Sequence, residues 1–207
     1  MTKHIYGITA PIGSGKTTVL NILKDYDFEI INTDELAKEI HKNNIFNIAV
    51  LFPECVNDQI KTKNENGNIV ITLLFDTKKY SNIIFTDSEK RKKMENFIYP
   101  ILIRKIKKII KSSKKSVFIE SAILFETNIH KVFNFKDIIF IDTNFEQRMK
   151  KVLETRNLTK EEFLLRDDLQ LDVNKKLQLA NIIITNTYDM DQLKTDLLKK
   201  IKEYNIK

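Results

Sequence analysis

The chain has 207 residues, of which 42% are hydrophobic and 30% charged, and it contains only four glycines and three prolines. This composition predicts a compact folded chain with a substantial core, and it excludes disordered, collagen-like and low-complexity classes of protein. The formal net charge is +7, and only five of the 35 basic residues are arginine. Two interpretations of this charge stay open. The lysines either cover solvated faces of the protein or attract an anionic ligand or a nucleic acid.

The sequence contains no sign of a membrane or secretory segment. No apolar run approaches the ~18 residues that a membrane-spanning helix requires, and the first residues lack the length and cleavage site of a secretory signal. Cys55 is the single cysteine, so an internal disulfide is excluded. We therefore expect a cytoplasmic protein without membrane contact.

Five short apolar runs predict strands. The first occupies residues 4–9 and is followed by a glycine-rich turn and by a helical pattern over 18–24. The second occupies 28–31 and precedes a helix that starts at Asp34 with acidic residues in its first turn. The other three runs occupy residues 117–119, 138–141 and 182–184. Runs that are apolar on both faces and separated by helices predict an α/β fold with a parallel sheet covered by helices on both sides.

Two long segments between the strands have a helical pattern. The roughly eighty residues between the second and third strands include an amphipathic helix over 88–111, which we expect Pro100 to kink or divide. After the fourth strand, residues 145–177 form another helical stretch that is rich in alternating charge. No repeat or linker composition separates these segments, so we expect a single domain over residues 1–207.

The strongest motif is the glycine-rich segment 10–17, which follows a strand and opens a helix. Backbone N–H groups around Gly13 and Gly15 would surround a phosphate, Lys16 would reach the β- and γ-phosphates of ATP, and the Thr17 hydroxyl would complete a Mg²⁺ shell. The segment begins with Ala10, where the motif often has glycine. The predicted ATP site comprises Pro11, Ile12, Gly13, Ser14, Gly15, Lys16, Thr17 and Thr18.

Three acidic residues follow predicted strands, at the sheet edge where α/β proteins bind ligands. Asp34 is the best catalytic candidate, because its strand should lie near the phosphate loop; the alternative is a helix cap. Glu120 follows three apolar residues, as does the acid that holds magnesium in many nucleotide-binding proteins. The sequence favours a metal or substrate contact and a purely structural role equally. Asp142 leads directly into the charged helical stretch, which favours a helix cap.

Several further segments together resemble the dephospho-CoA kinase family. They are residues 30–34, 83–85, 88–100, 118–126 and 180–186, and with the phosphate loop they span nearly the whole chain. The resemblance implies a P-loop kinase fold with a five-stranded parallel sheet, a helical coenzyme-A-binding insertion at about 60–112 and a lid at about 145–175. It also implies transfer of the ATP γ-phosphoryl group, with Mg²⁺, to the ribose 3′-hydroxyl of dephospho-CoA, by a monomer or weak homo-oligomer.

The resemblance further implies roles for individual residues. Asp34 falls on the family's proposed base, and Asn32 replaces the first acid of the family's Asp-x-Asp pattern. Lid closure would bring cations over the phosphates, with Arg156 and Lys151 as the catalytic candidates. Arg148 and Lys150 lie in the same segment, and pairing with Glu146 or Glu154 on an exposed helix is the alternative for these cations. The implied substrate contacts are Thr9, Asp34, Tyr99, Glu120 and Phe125, and the implied magnesium ligands are Thr17 and Glu120.

The chain departs from the family pattern at several positions. Tyr99 stands where histidine is usual, Thr77 where arginine is common, and Ala122 where proline is usual. Lys151 and Thr155 occupy lid positions that are usually arginine, and Arg156 is adjacent to the second of them. These changes concern substrate and lid contacts, and the reaction class stays the same.

Two other functions remain alternatives. The nearest is another P-loop small-molecule kinase or a nucleoside monophosphate kinase, since the same core serves many acceptors. The other is a basic nucleotide-binding module that acts on nucleic acid. We expect no nucleic-acid partner, because the sequence has no arginine-rich recognition helix, base-stacking aromatic pattern or zinc motif.

Overall fold

A computed structural model describes residues 3–66, 68–156 and 158–206. The chain forms two compact units. The first comprises Met1–Asp34 and Lys108–Lys207, and the second comprises Glu35–Lys107. No helix within the described residues has the length and apolar character needed to cross a membrane.

The first unit contains a five-stranded parallel sheet. Its strands, in spatial order, are β2 (Glu29–Asn32), β5 (Val117–Glu120), β1 (Ile5–Thr9), β6 (Asp137–Asp142) and β7 (Ile182–Thr185). The register places Ile5 beside Val117 on one side of β1, and Gly7 beside Ile138 on the other. The predicted five-stranded parallel sheet is therefore confirmed, with β1 at its centre.

Side chains of the central strands and of two helices form the main core of this unit. Tyr6 and Phe118 stack with their ring centroids 5.0 Å apart, and Phe28 packs edge-on against Phe118 at 4.9 Å. Leu193 and Leu197 of the last helix complete the cluster. Each such side chain contributes about 1.5–3 kcal/mol by leaving water, so the core fixes the strand ends from which the site is built.

Six helices of the first unit are described. They are α1 (Lys16–Lys24), α6 (Ile129–Val132), α7 (Phe145–Thr155), α8 (Lys160–Asp168), α9 (Val173–Leu179) and α10 (Met190–Glu203). The predicted helical stretch 145–177 is divided into three, because Thr159 forms a capping box with Glu162 and Asp172 caps α9. Each cap starts a new helix, which the alternating charge pattern did not indicate.

The second unit combines helices with an antiparallel hairpin. Its elements are most of α2 (Thr33–Asn43), α3 (Ile45–Leu51), β3 (Val56–Lys63), β4 (Ile69–Phe75), α4 (Thr77–Thr86) and most of α5 (Ser88–Ser112). Val56 lies opposite Phe75 in the hairpin. The prediction that this region is mostly helical is wrong for the hairpin, whose largely exposed second strand lacks the polar and apolar alternation typical of strands.

The long helix α5 runs through Pro100 without a break. The missing N–H of a proline removes one helical hydrogen bond, which favours a break. Here the buried side chains Ile98, Leu102 and Ile106 lie on both sides of the proline and give the helix one continuous packed face. Division of this helix at Pro100 is therefore excluded.

Candidate active site

The phosphate loop connects β1 to α1 in a conformation that requires glycine at two positions. Gly13 has φ 86° and Gly15 has φ 83°, both in the left-handed region. A Cβ atom at Gly13 would also lie 2.8 Å from the carbonyl oxygen of Arg148 and 2.8 Å from Cγ2 of Val152. The glycine spacing seen in the sequence is thus a requirement of both backbone and packing.

The N-terminus of α1 is open toward an anion. Gly15 is its N-cap residue and supplies no side-chain hydrogen bond, so the first N–H groups of the helix are left for a ligand. Partial positive charge at the helix end adds to this preference for a phosphate. Ser14 is almost fully buried, and its Oγ has no hydrogen-bond partner in the described part of the chain. The loop and helix start therefore have the donors that a phosphate group needs.

Lys16 brings the positive charge of the site among carboxylates. Its side chain is only 15% exposed, and its Nζ lies 3.7 Å from Oε1 of Glu120. Burial lowers the pKa of Lys16, while the charges of Glu120 and Asp34 oppose that shift and the charge of Arg156 adds to it. Lys16 is thus within electrostatic range of Glu120, Asp34 and Arg156.

The acidic candidates differ in their surroundings. Glu120 ends β5 and is 2% exposed, whereas Asp34 is the second residue of α2, after Thr33. Asp142 ends β6, but the cap of α7 is Asn144, whose side chain accepts hydrogen bonds from the N–H groups of Glu146 and Gln147. The prediction that Asp142 caps this helix is wrong, because the strand continues to Asp142 and the helix begins only at Phe145.

Of the candidate cations in the predicted lid, Arg148 is buried and the others are exposed. Arg148 is 2% exposed, and its guanidinium pairs with Asp167 at 2.7 Å and donates a hydrogen bond to the carbonyl of Ile12. It therefore lies against the phosphate loop rather than on an exposed helix face. Lys150, Lys151 and Arg156 are exposed.

A buried ion pair near the site was not anticipated from the sequence. Lys176 of α9 is fully buried, and its Nζ lies 2.7 Å from Oε1 of Glu126 and 2.9 Å from the carbonyl oxygen of Ala122. Burial lowers the pKa of Lys176, Glu126 opposes the shift, and the charge of Lys16 adds to it. Glu126 also accepts a hydrogen bond from the N–H of Leu171 at 2.7 Å. Neither residue stands out in the sequence, because a lysine in a charged helical stretch indicates a solvated face.

The remaining candidates are distributed over both units. Thr9 is buried at the end of β1, with Oγ1 3.5 Å from the carbonyl oxygen of Ala122. Phe125 is buried against the ring of His130, with centroids 5.1 Å apart. Tyr99 lies on α5 in the second unit. Thr17 is exposed at the start of α1, Thr18 is half-buried, and Pro11 and Ile12 are buried.

The fold and the site together define a P-loop kinase. The phosphate loop follows the central strand of a parallel sheet, and a lysine and two carboxylates gather at the same end of the sheet. The family model described as CoaE, dephospho-CoA kinase, matches residues 4–192. The chain belongs to the dephospho-CoA kinase family.

Individual relatives agree with this placement. A dephospho-CoA kinase from Campylobacter jejuni (strain RM1221) is 28% identical over 97% of this chain and 96% of its own length. The crystal structure of a dephospho-CoA kinase from Campylobacter jejuni superposes with a TM-score of 0.61 at 26% identity, covering 98% of this chain and 97% of that one. A crystal structure from Thermus thermophilus shares the fold, with a TM-score of 0.82, 24% identity and full coverage of both chains.

Proposed function

We propose that this chain transfers the γ-phosphoryl group of ATP to the ribose 3′-hydroxyl of dephospho-CoA, which gives coenzyme A and ADP. The observation that carries this proposal is the family match over residues 4–192. The gathering of Lys16, Glu120, Asp34 and Arg156 around the phosphate loop supports it chemically. Phosphoryl transfer depends mainly on positioning and on stabilisation of charge, and these residues supply both.

The loop and Lys16 bind the ATP phosphates in this mechanism. N–H groups at the start of α1 hold the phosphate oxygens, and the Lys16 ammonium stabilises the charge on the transferring group. We propose Arg156 as the second cation over the γ-phosphate, with Lys151 as its alternative, because the charge of Arg156 already reaches Lys16. These cations act in a site from which a closed lid excludes water.

Asp34 acts on the acceptor hydroxyl. Its carboxylate takes the proton of the 3′-hydroxyl while the ribose oxygen forms a bond to the γ-phosphorus and the bond from that phosphorus to the bridging oxygen breaks. ADP is the leaving group, and the proton stays on Asp34 until product release. Thr9, Tyr99, Glu120 and Phe125 are the proposed contacts to the rest of the acceptor.

The oxygen donors near Lys16 fit a magnesium ion. Thr17 offers an exposed hydroxyl and Glu120 a carboxylate, and Mg²⁺ prefers such donors together with phosphate oxygens and water. When bound, the ion would neutralise charge on the β- and γ-phosphates. We propose Thr17 and Glu120 as the residues that hold it, and we expect the reaction to take place in the cytoplasm in a monomer or weak homo-oligomer.

A direct assay tests this function. The purified chain is incubated with ATP, Mg²⁺ and dephospho-CoA, and coenzyme A is detected by mass; a Lys16→Ala variant is the control for contaminating kinases. Nucleoside monophosphates and other small-molecule alcohols are assayed in parallel. Robust phosphorylation of another acceptor without formation of coenzyme A would refute the proposal. A steeply salt-dependent affinity for DNA or RNA would support the nucleic-acid alternative instead.

A further inference from the structure

Side chains from distant parts of the sequence donate hydrogen bonds to the backbone of the phosphate loop. Three successive loop carbonyls accept hydrogen bonds, at distances of 2.7–3.4 Å, from residues more than a hundred positions away in the sequence. The pairs are Ile12 with Arg148, Gly13 with Tyr188, and Ser14 with both Asn186 and Thr143. The loop conformation therefore depends on contacts outside the loop.

These contacts also aim the donors of the loop. A trans peptide is planar, with its C=O and the following N–H pointing in opposite directions. The bond from Arg148 to the Ile12 carbonyl thus turns the N–H of Gly13 away from Arg148, and the bonds to the Ser14 carbonyl turn the N–H of Gly15 in the same manner. Because the carbonyls are hydrogen-bonded on one side of the loop, these N–H groups point to the other side, where they can bind phosphates.

Ile12 is held on both of its polar groups by the segment 145–175. Nη1 of Arg148 in α7 donates to its carbonyl oxygen at 3.0 Å, and its N–H donates to Oε1 of Gln170 at 3.1 Å. Asp167 of α8 binds the same guanidinium through both oxygens, at 2.7 and 3.5 Å. The C-terminal end of α8 is thereby connected twice to the entry of the phosphate loop, through Asp167 in its last turn and through Gln170 just after the helix.

The burial of Arg148 argues against a purely stabilising role. Its guanidinium lies 5.3 Å from the ring of Phe145 and 6.0 Å from that of Phe163, and its Nε has no hydrogen-bond partner among the described residues. Burial of a charge is costly, and apolar residues of similar volume often give equal or greater stability. A buried arginine with an unused donor therefore indicates a function that an apolar side chain cannot perform.

We propose that Arg148 is a positioning residue that couples the segment 145–175 to the shape of the phosphate loop. When Asp167 and Gln170 hold their partners, the Ile12 carbonyl points toward Arg148 and the loop binds ATP phosphates. When α8 moves, the loop loses the hydrogen bonds from Arg148 and to Gln170. This inference rests on the proposed function, because it concerns the ATP site of that same reaction. It assigns to Arg148 a role through the loop, in contrast to the direct phosphate contact proposed for Arg156.

The test compares Arg148→Met with Asp167→Asn. The methionine fills the apolar surroundings but donates no hydrogen bond. The affinity for ATP, and with it kcat/KM for ATP, should therefore fall about 10²-fold, the loss that a displacement of roughly 1 Å can cause. The affinity for dephospho-CoA, measured by calorimetry without ATP, should stay within about twofold of wild type. Asp167→Asn should weaken ATP binding less, and the double variant should be no worse than Arg148→Met, because the two residues act as one unit.

A matched control removes an exposed ion pair. Lys115 lies 2.6 Å from Asp27 in a pair with 49% and 85% of the two side chains exposed, so Lys115→Met should leave ATP binding unchanged. Wild-type ATP affinity in a folded Arg148→Met variant would overturn the inference. Should that variant not fold, Gln170→Met removes only the acceptor of the Ile12 N–H, and unchanged ATP affinity there would overturn it equally.

Binding of ATP also separates this inference from the proposed function. Affinity for ATP is measured by calorimetry without any acceptor, so it reports on the loop whatever the second substrate is. A wild-type chain that binds ATP but does not phosphorylate dephospho-CoA would refute the proposed function alone. Wild-type ATP binding by Arg148→Met, in a chain that does make coenzyme A, would refute this inference alone.

Discussion

Nζ of Lys16 lies 3.7 Å from Oε1 of Glu120, and the two side chains are only 15% and 3% exposed. This relationship places a mostly buried cation of the phosphate loop next to the acid at the end of the neighbouring strand. Burial lowers the pKa of Lys16, and the charge of Glu120 opposes that shift. In the proposed reaction Lys16 would contact phosphate oxygens and Glu120 would contact the metal ion.

Replacing Lys16 tests the charge of this pair. Lys16→Met should lower turnover about 10²–10³-fold, because it removes a donor to the transferring group. It should also lower the unfolding temperature, since Glu120 is left buried without this cation. Lys16→Met/Glu120→Gln should recover stability but not activity, as measured by thermal unfolding and by coenzyme A formation. Near-wild-type turnover in folded Lys16→Met would contradict the role of the loop in ATP binding.

The alkaline limit of activity should depend on Glu120. Burial lowers the pKa of Lys16, and Glu120 is the largest influence that opposes this shift. Lys16 acts as an ammonium ion, so activity falls as the pH rises through its pKa. Glu120→Gln removes the opposing charge, which lowers the pKa further and moves the alkaline decline of kcat/KM for ATP to lower pH. The control is Glu203→Gln, at the end of α10, where the glutamate side chain is 51% exposed. Comparison of the pH profiles of wild type and both variants tests this prediction, and identical profiles would refute it.

Local patterns in the sequence predicted the loop and the sheet. Gly13 and Gly15 occur at a spacing whose backbone requirement is local, and the five apolar runs are short enough to be strands. The hairpin of β3 and β4 could not be predicted in this way, because β4 carries apolar residues on both faces and is nevertheless largely exposed. The apolar sequence of β4 is equally typical of a strand buried in a sheet, so the sequence does not indicate an exposed hairpin strand.

The buried cations could not be predicted because their partners are distant in sequence. Arg148 forms an ion pair with Asp167, nineteen residues later in the sequence, and Lys176 forms one with Glu126, fifty residues earlier. A charged residue on a helix is usually solvated, so the local sequence pattern does not indicate either buried pair. Only the packing of α7, α8 and α9 against the strand ends brings these charges inside.

The lid cation is tested by two alanine variants. Arg156→Ala should reduce turnover about 10²-fold, because the charge of Arg156 reaches Lys16, the residue proposed to stabilise the transferring phosphoryl group. Lys151→Ala should have a smaller effect. Both residues are exposed, so neither change should alter the unfolding temperature. Steady-state kinetics with saturating dephospho-CoA gives the comparison. A silent Arg156→Ala together with a damaging Lys151→Ala would reverse the assignment.

The buried pair of Lys176 and Glu126 should matter for stability. Glu126→Ala leaves the fully buried Lys176 without its carboxylate and removes the acceptor of the Leu171 N–H, so the free energy of unfolding should fall by about 3–5 kcal/mol. Glu126→Leu/Lys176→Met removes both charges and should recover much of that loss. Urea unfolding measures each variant. Equal stability of Glu126→Ala and wild type would show that Lys176 is not held as a charged group.

The role of Asp34 is tested by a change that keeps the shape of the side chain. Asp34 is the second residue of α2 and lies close enough to Lys16 to raise its pKa, so the carboxylate belongs to the site by charge as well as by position. Asp34→Asn keeps the size of the side chain but removes the basic oxygen that is proposed to receive the hydroxyl proton. Turnover should fall by roughly 10²–10⁴-fold, while ATP affinity and unfolding temperature stay near wild type.

A purely structural Asp34 would give the opposite result. Asparagine and alanine at the second position of α2 would then each lower stability by at most about 1 kcal/mol, with turnover intact. Asp34→Asn, Asp34→Ala and Glu35→Gln, a change of the next acid in the same helical turn, are compared by coenzyme A formation and by thermal unfolding. Because Glu35→Gln changes the same helix dipole interaction, a loss of turnover confined to position 34 isolates proton transfer. A fully active Asp34→Asn enzyme would move the role of the base to Glu120, the other strand-end acid beside Lys16.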